Sequence, residues 1–333
     1  MILFYIALCS FILSLLLVPI TVKISARFNI TKPDRNKNGK PCIGGIGIYM
    51  AFLAATLFSL FFIKLSGIKL FGIILSSSVI LALGLIDDIK NLRPVLKISG
   101  QLLGIFILIV FGFFNKITFL PGWVNILITI VWLLFITNAL NLLDIMDGLT
   151  SGLVIIISLS LLVIAFINRD IFSCVILTAL IGAHAGFLRY NYPPAKAYMG
   201  DTGSLFSGFL LAMVAINISY APIDRKIALL TPILAMSLPI YDTLFLIIMR
   251  IKKKKPIFNK TDDHFALRLV TMGCSIKKSI WIMYSFSIFL ALSVIIVAFG
   301  RNLTGLITLA VVGLVFILMG NKVGMVAIDE QIR

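Results

Sequence analysis

Asp87 and Asp88 stand side by side at the end of an apolar run in GLIDDIKNLRPVLKISGQ, residues 84–101, and Lys97 follows nine residues after the second of them. Acids at the C-terminal end of a helix face its negative pole and repel each other, so the pair needs compensation from elsewhere. Lys97 can bring a cation to the same place. The plain alternative is a solvated loop edge with routine basic flanks. A second set, Asn138, Asn141, Asp144 and Asp147, is spaced by three in NALNLLDIMDG, residues 138–148. At about 100° per residue each neighbouring pair shares a helix face, but Asn138 and Asp147 end about 180° apart. The four are therefore expected at the mouth where a helix ends and the chain turns at Gly148. There they would offer the amide and carboxylate oxygens that Mg²⁺ accepts.

The third segment, AYMGDTGSL at 197–205, precedes another apolar run. Asp201, Thr202 and Ser204 are all good N-cap residues, and on this segment alone a helix cap is the stronger reading. The chemical reading is that the two glycines permit a tight turn aiming Asp201, with nearby helix amides, at a phosphate or metal. The fourth segment, 252–269, carries His264 and Arg268 at i, i+4. On a short helix both would face one side and grip a sugar or phosphate. His184, inside an apolar run, reads as a packed, hydrogen-bonded residue. Gly44, in PCIGG at 41–45, belongs to a turn whose backbone could meet a planar ligand or simply begin a helix. Cys9, Cys42, Cys174 and Cys274 have neither disulfide-framework nor zinc spacing.

The elements that must position these groups are helices in lipid. Of the residues, 60% are hydrophobic and only 13% charged, with a mean hydropathy of +1.12, against roughly 25% charged in an ordinary soluble domain. Apolar runs near the length of a bilayer crossing recur throughout. An all-α polytopic membrane protein with about eleven spans is expected, at 2–22, 45–63, 70–86, 98–114, 120–138, 149–167, 171–188, 203–218, 228–249, 279–299 and 303–320. The first lacks a basic leader and a cleavage site, and reads as a retained span. The segments 23–44, 87–97, 139–148, 189–202, 250–278 and the tail then share one side and hold 22 of the 29 Lys and Arg. The positive-inside rule makes that side cytoplasmic, with the N-terminus outside and the C-terminus inside. The net charge of +16 is thus a topology signal, and nucleic acid is not an expected partner. Ten of the 13 acids lie on the same side; Asp242 sits within the ninth span.

Taken in order, PCIGG, GLIDDIKNLRPVLK, NALNLLDIMDG, MGDTGSL and DDHFALRL resemble the polyprenyl-phosphate N-acetylhexosamine-1-phosphate transferase family (glycosyltransferase family 4), over nearly the whole chain. The resemblance implies one integral membrane transferase domain over 1–333, in the inner (plasma) membrane, with its active site in the cytoplasmic loops. Its substrates would be a UDP-N-acetylhexosamine and a polyprenyl phosphate, and its product a membrane-bound precursor of cell-envelope glycan. Residue by residue, it assigns Mg²⁺, with Mn²⁺ as substitute, to Asn141 and Asp201. Lys97 would contact the pyrophosphate, Asp147 the uracil and Gly44 the uridine, while His264 and Arg268 select the sugar. Asp87 and Asp88 match an acidic pair, one member of which is often assigned as the base. A homodimer is left open.

Two departures qualify the match. Many relatives read D-G-x-D-G where this chain has Asp144, Ile145, Met146, Asp147 and Gly148, so the turn that carries Asp144, which the resemblance assigns as a substrate contact, departs from the family pattern. The sugar loop lacks the triple histidine of the muramoyl-pentapeptide branch and also the second histidine of many GlcNAc enzymes; the GlcNAc-1-phosphate transferase branch is favoured with the exact sugar open, and the muramoyl-pentapeptide enzyme is the alternative. A transporter would be expected to place its polar groups near the midplane, and acids concentrated at one face argue against it. Tyr241–Asp242 prompts an intramembrane aspartyl protease, but the Gly-x-Gly-Asp partner motif expected later in the chain is missing.

Overall fold

The computed structural model describes residues 1–28, 42–220, 225–254 and 263–325, and among these every regular element is helical. The helices are α1 (Ile2–Arg27), α2 (Gly44–Ser59), α3 (Gly67–Lys90), α4 (Pro94–Val110), α5 (Gly122–Leu143), α6 (Leu149–Ile167) and α7 (Ile171–Asn191). They continue with α8 (Gly200–Asn217), α9 (Thr231–Ala235), α10 (Ser237–Lys252), α11 (Phe265–Thr271), α12 (Ile276–Phe299) and α13 (Asn302–Gly324). Among the described residues seven helices are long and apolar enough to cross a bilayer, or eight if the bent pair before and after Met236 is one span. Large side chains such as Phe4, Leu16, Phe106, Trp123, Leu303 and Ile317 stay exposed on the outside of the bundle. With lipid as the surrounding solvent those faces need no further cover, and the chain is a polytopic, all-helical membrane protein.

The expected count of eleven is not reached on length and composition. Two expected spans fall on α2 and α4, which have only 16 and 17 residues, and a third on α8, whose 18 residues begin with the polar stretch GDTGS and end in Asn217. A further expected span, 228–249, is not straight. A short 3₁₀ turn (Lys226–Leu230) and α9 lead into α10 across a bend of 67°. Pro239 lacks the N–H that would bond to the Ala235 carbonyl across the break, a sufficient cause for a kink.

At the centre lies α8, with 15 of its 18 residues buried. It packs against α3 and α5 and also touches α2. The close approach rests on small residues: a Cβ at Gly45 would collide with the backbone of Gly203. On the α1 side, Ser10 and Ser14 donate to the carbonyls of Ala179 and Ala183 on α7, at 2.6 and 2.7 Å. The expected reading of His184 holds for one nitrogen. Its Nε2 is 2.8 Å from Ser207 Oγ, and the ring is buried between α7 and α8.

Candidate active site

The geometry starts with how α3 ends. Asn91 adopts the left-handed conformation (φ 48°) at the C-cap and Pro94 opens α4, so the chain reverses within a few residues. The turn returns the Leu92 N–H to Asp87 Oδ1 at 2.7 Å and lays Lys97 back over the same carboxylate. Lys97 Nζ is 2.9 Å from Asp87 Oδ2, 3.1 Å from Asp201 Oδ2 and 3.3 Å from Asn141 Oδ1. Asn141 Nδ2 donates to Asp201 Oδ1 at 3.2 Å and to Ser204 Oγ at 2.8 Å. Four helices, α3, α4, α5 and α8, thus contribute one member each to a single cluster, with Ser204 as a second residue from α8. Asp87 is buried, while the side chains of Lys97 and Asp201 keep 17% and 20% of their exposure. The cluster is therefore partly accessible from outside and not a sealed core network.

Asp88 points elsewhere. Its Oδ1 accepts the Asp201 N–H at 2.9 Å, and its Oδ2 accepts the Thr202 N–H and hydroxyl at 2.9 and 2.7 Å. A carboxylate on α3 therefore caps the N-terminus of α8, where free N–H groups and the positive end of the helix dipole favour an anion. This corrects the cap expected from the local sequence. The residue before α8 is Met199, with no side-chain cap of its own, and Asp201 sits in the first turn with its carboxylate on Lys97 and Asn141.

The set spaced by three also divides. Asn138 exchanges two amide hydrogen bonds with Gln101 of α4, at 2.7 and 3.2 Å, and so joins two helices instead of the Lys97 cluster. Asp144 is the C-cap residue of α5. Asp147 Oδ2 accepts the Ala195 N–H at 2.9 Å, tying the α5–α6 turn to the segment before α8. Gly148 takes φ 78°, a conformation other residues rarely adopt, and its N–H donates to Asn191 Oδ1 at 2.9 Å. Gly44 is buried and its N–H donates to Tyr198 O at 3.0 Å, so that amide is not offered to a planar ligand. Its place is in the packing of α2 against the approach to α8.

His264 and Arg268 do not form the joint grip expected from their spacing. His264 is the residue before α11, and its Nδ1 lies 2.8 Å from Asp242 Oδ2 on α10. Arg268 is 1% exposed and stacks over the Phe245 ring at 5.4 Å. Its Nη2 donates to Asp263 Oδ1 at 2.8 Å, and its Nη1 to the carbonyls of Val323 and Gly324 at 3.3 and 3.4 Å. A buried guanidinium has five N–H groups to satisfy, and the carbonyl end of α13 supplies acceptors that a helix spacing rule does not reveal. Lys253 Nζ meets Asp263 Oδ1 as well, at 2.6 Å. Burial pushes the Asp263 carboxyl up, but Lys253 and Arg268 outweigh it and hold it below the usual carboxylate range. In the sequence Ser204 stood out only as a candidate helix cap and Asp263 only as part of DDHFALRL, neither with a role of this kind; Asp242 carried a signal as an acid inside an apolar run.

Among the described residues no group of three or more His, Cys, Asp or Glu forms a metal cage. The oxygens that do converge, from Asp87, Asn141 and Asp201, are hard donors around a cation, Lys97 Nζ. That set fits Mg²⁺ in its usual manner, through one or two carboxylates completed by water and substrate phosphates.

Residues 70–219, which contain this whole cluster, match the model of glycosyl transferase family 4. The chain is 32% identical over 305 residues to a Bacillus subtilis protein named "Probable undecaprenyl-phosphate N-acetylglucosaminyl 1-phosphate transferase", covering 86% of this chain and 84% of that one. It is 30% identical over 300 residues to the decaprenyl-phosphate N-acetylglucosaminephosphotransferase of Mycobacterium leprae, at 79% and 73% coverage. To the phospho-N-acetylmuramoyl-pentapeptide-transferase of Streptococcus pneumoniae serotype 19F it is 33% identical over 238 residues, covering 62% of this chain and 70% of that one. With the Lys97 cluster inside the matched residues and similarity running along most of its length, the chain belongs to glycosyl transferase family 4.

Proposed function

We propose that this chain transfers N-acetylhexosamine 1-phosphate, first of all GlcNAc-1-phosphate, from a UDP-sugar to a polyprenyl phosphate such as undecaprenyl phosphate, releasing UMP. The observation that carries the proposal is the meeting of Lys97 with Asp87, Asn141 and Asp201 in one partly exposed cluster. The names of the relatives supply the substrate class. A phosphate oxygen of the lipid attacks the β-phosphorus of the donor; the bond from that phosphorus to the bridging oxygen breaks, and UMP leaves with the oxygen. The attacking oxygen is already an anion at neutral pH, so alignment and charge neutralisation matter more than deprotonation.

Lys97 meets the pyrophosphate, and Asp87 holds its ammonium in place. Asp201 and Asn141 would hold Mg²⁺, or Mn²⁺, together with the donor phosphates; when bound, the ion supplies charge stabilisation to the transferring phosphoryl group. Asp147 and Asp144 lie at the α5–α6 turn, where they would meet the uracil end. The chain acts as one transferase domain in the inner (plasma) membrane, crossing eleven times with α2, α4 and α8 as short crossings, the N-terminus outside and the C-terminus in the cytoplasm. The 22 Lys and Arg on the inner side support that orientation.

The similarity to the muramoyl-pentapeptide transferase keeps that donor as a second reading. One assay separates them. Purified protein with undecaprenyl phosphate, Mg²⁺ and a panel of UDP-sugars should release UMP with UDP-GlcNAc and not with UDP-muramoyl-pentapeptide. UMP release from the pentapeptide donor alone would reverse the choice, and no release from any donor would remove the transferase reading.

A further inference from the structure

Asp242 on α10 is a buried acid, 1% exposed, that lies outside the Lys97 cluster and has no part in the reaction as derived. Both of its oxygens are spent on one corner of the chain. Oδ2 lies 2.8 Å from His264 Nδ1, and Oδ1 accepts the N–H of Phe265 at 2.9 Å. Phe265 is the first residue of α11, so Oδ1 satisfies a helix-end donor that has no partner within that helix. Around the corner is an aromatic packing of Tyr241, Phe245 and Phe265, whose rings meet edge to face at 5.8 and 5.9 Å. A carboxylate inside such packing is costly unless each oxygen is used. Here the oxygens fix two things at once: where the short helix begins and how the imidazole ahead of it is turned.

The contact also fixes chemistry. A carboxylate 2.8 Å from Nδ1 requires a proton on that nitrogen, whether the ring is neutral or charged. Nε2, on the other side of the ring, is then the nitrogen left to a ligand, and in the neutral ring it presents a lone pair. We infer that Asp242 is a positioning residue, holding His264 in the orientation and tautomer in which Nε2 engages the sugar-phosphate half of the donor. The inference rests on the transferase reading for the ligand, and not for the tautomer. It also accounts for an acid within a membrane helix, where a purely structural carboxylate would be a poor choice.

The chain has only two histidines, His184 and His264, which makes the tautomer directly observable by ¹⁵N NMR of histidine-labelled protein in nanodiscs. The signals of His264 are those missing from His264→Gln. In the wild type they should carry the proton on Nδ1, and a proton on Nε2 alone would overturn the proposal without any variant. Asp242→Asn keeps an acceptor for the Phe265 N–H but offers an N–H to the ring, and should move the ring proton to Nε2. Transfer from the UDP-sugar should then fall roughly 10- to 100-fold, as when other orienting partners of histidine are lost. UMP affinity should stay within about twofold, because that end of the donor is gripped elsewhere. Asp242→Glu should recover part of the rate. In a His264→Gln background the Asp242→Asn change should cost little more, since the two act as a unit. Normal transfer by Asp242→Asn, an unmoved tautomer, or additive losses would each overturn the proposal. A wild-type protein that showed the Nδ1 proton but released no UMP from any donor would instead sink the transferase reading.

Discussion

Asp88 on α3 closes the N-terminus of α8 directly behind Asp201: its Oδ1 accepts the Asp201 N–H at 2.9 Å, across 113 residues of chain. Its neighbour Asp87 faces the other way, with Oδ2 on Lys97 at 2.9 Å. Two adjacent carboxylates at a helix end that disfavours both are thus compensated separately, one by a second helix and one by a cation.

That division separates the effects of their loss. Asp88→Asn can accept through only one atom, while the N–H groups of Asp201 and Thr202 and the Thr202 hydroxyl all need acceptors. Charge-assisted bonds of this kind are worth roughly 1.5–3 kcal/mol, so this variant should melt at a lower temperature as well as work slowly. Asp87→Asn should lose turnover with little loss of stability. Thermal melting beside UMP release decides it, and two variants equally stable would remove the capping role.

Activity should require Mg²⁺ or Mn²⁺ and be abolished by EDTA. Asp201→Asn should lower turnover by orders of magnitude while the protein stays folded, because the cap of α8 comes from Asp88 and not from Asp201 itself. Lys97→Met should be as damaging, since it leaves the Asp87 and Asp201 carboxylates facing a substrate anion with no cation between them. Near-normal UMP release by Asp201→Asn would count against the metal site.

Much of this site was legible before the structure, and the reason is specific. Lys97 lies one short turn past Asp87, and a turn ending in Asn91 with Pro94 behind it is readable as a reversal. The resemblance put Asn141 and Asp201 together, and their side chains do meet, at 3.2 Å. The partners of Asp88 and Arg268 were not legible. One finds its donors on a helix more than a hundred residues on, the other at the carbonyl end of α13, and neither pairing leaves a local spacing in the sequence. The spacing of His264 and Arg268 was misleading for a related reason. His264 lies just ahead of the short helix and not within it, so the i, i+4 rule does not bind the two to one face.

The orientation can be checked at the two ends of α12. Lys277 is exposed near its start and Asn302 lies just past its end. Cysteines placed at these positions, in a background without Cys9, Cys42, Cys174 and Cys274, should differ in intact cells: an impermeant thiol reagent should reach 302 and not 277. Labelling at 277 alone would invert the topology.

The loop that carries His264 should come apart in acid, and the sign follows from Asp263. Lys253 and Arg268 hold its pKa below the usual range despite burial, so the folded form prefers the charged carboxylate more than the unfolded chain does. The contribution is therefore fully present above the unfolded value, about 3.9, and is lost as pH falls through the lower folded value. Melting temperature followed from about pH 7 down to pH 3 should drop for the wild type. Asp263→Asn should start lower at neutral pH and lose less on acidification, so that the two curves approach each other. Arg268→Lys should also start lower, because an ammonium cannot reach Asp263 and the Val323 and Gly324 carbonyls together as the planar guanidinium does. It should still acidify like the wild type in direction, since a cation remains beside the carboxylate. A constant offset between wild type and Asp263→Asn across the whole range would mean that the titration of Asp263 contributes nothing, and that the loop is held by Arg268 and the α13 carbonyls alone.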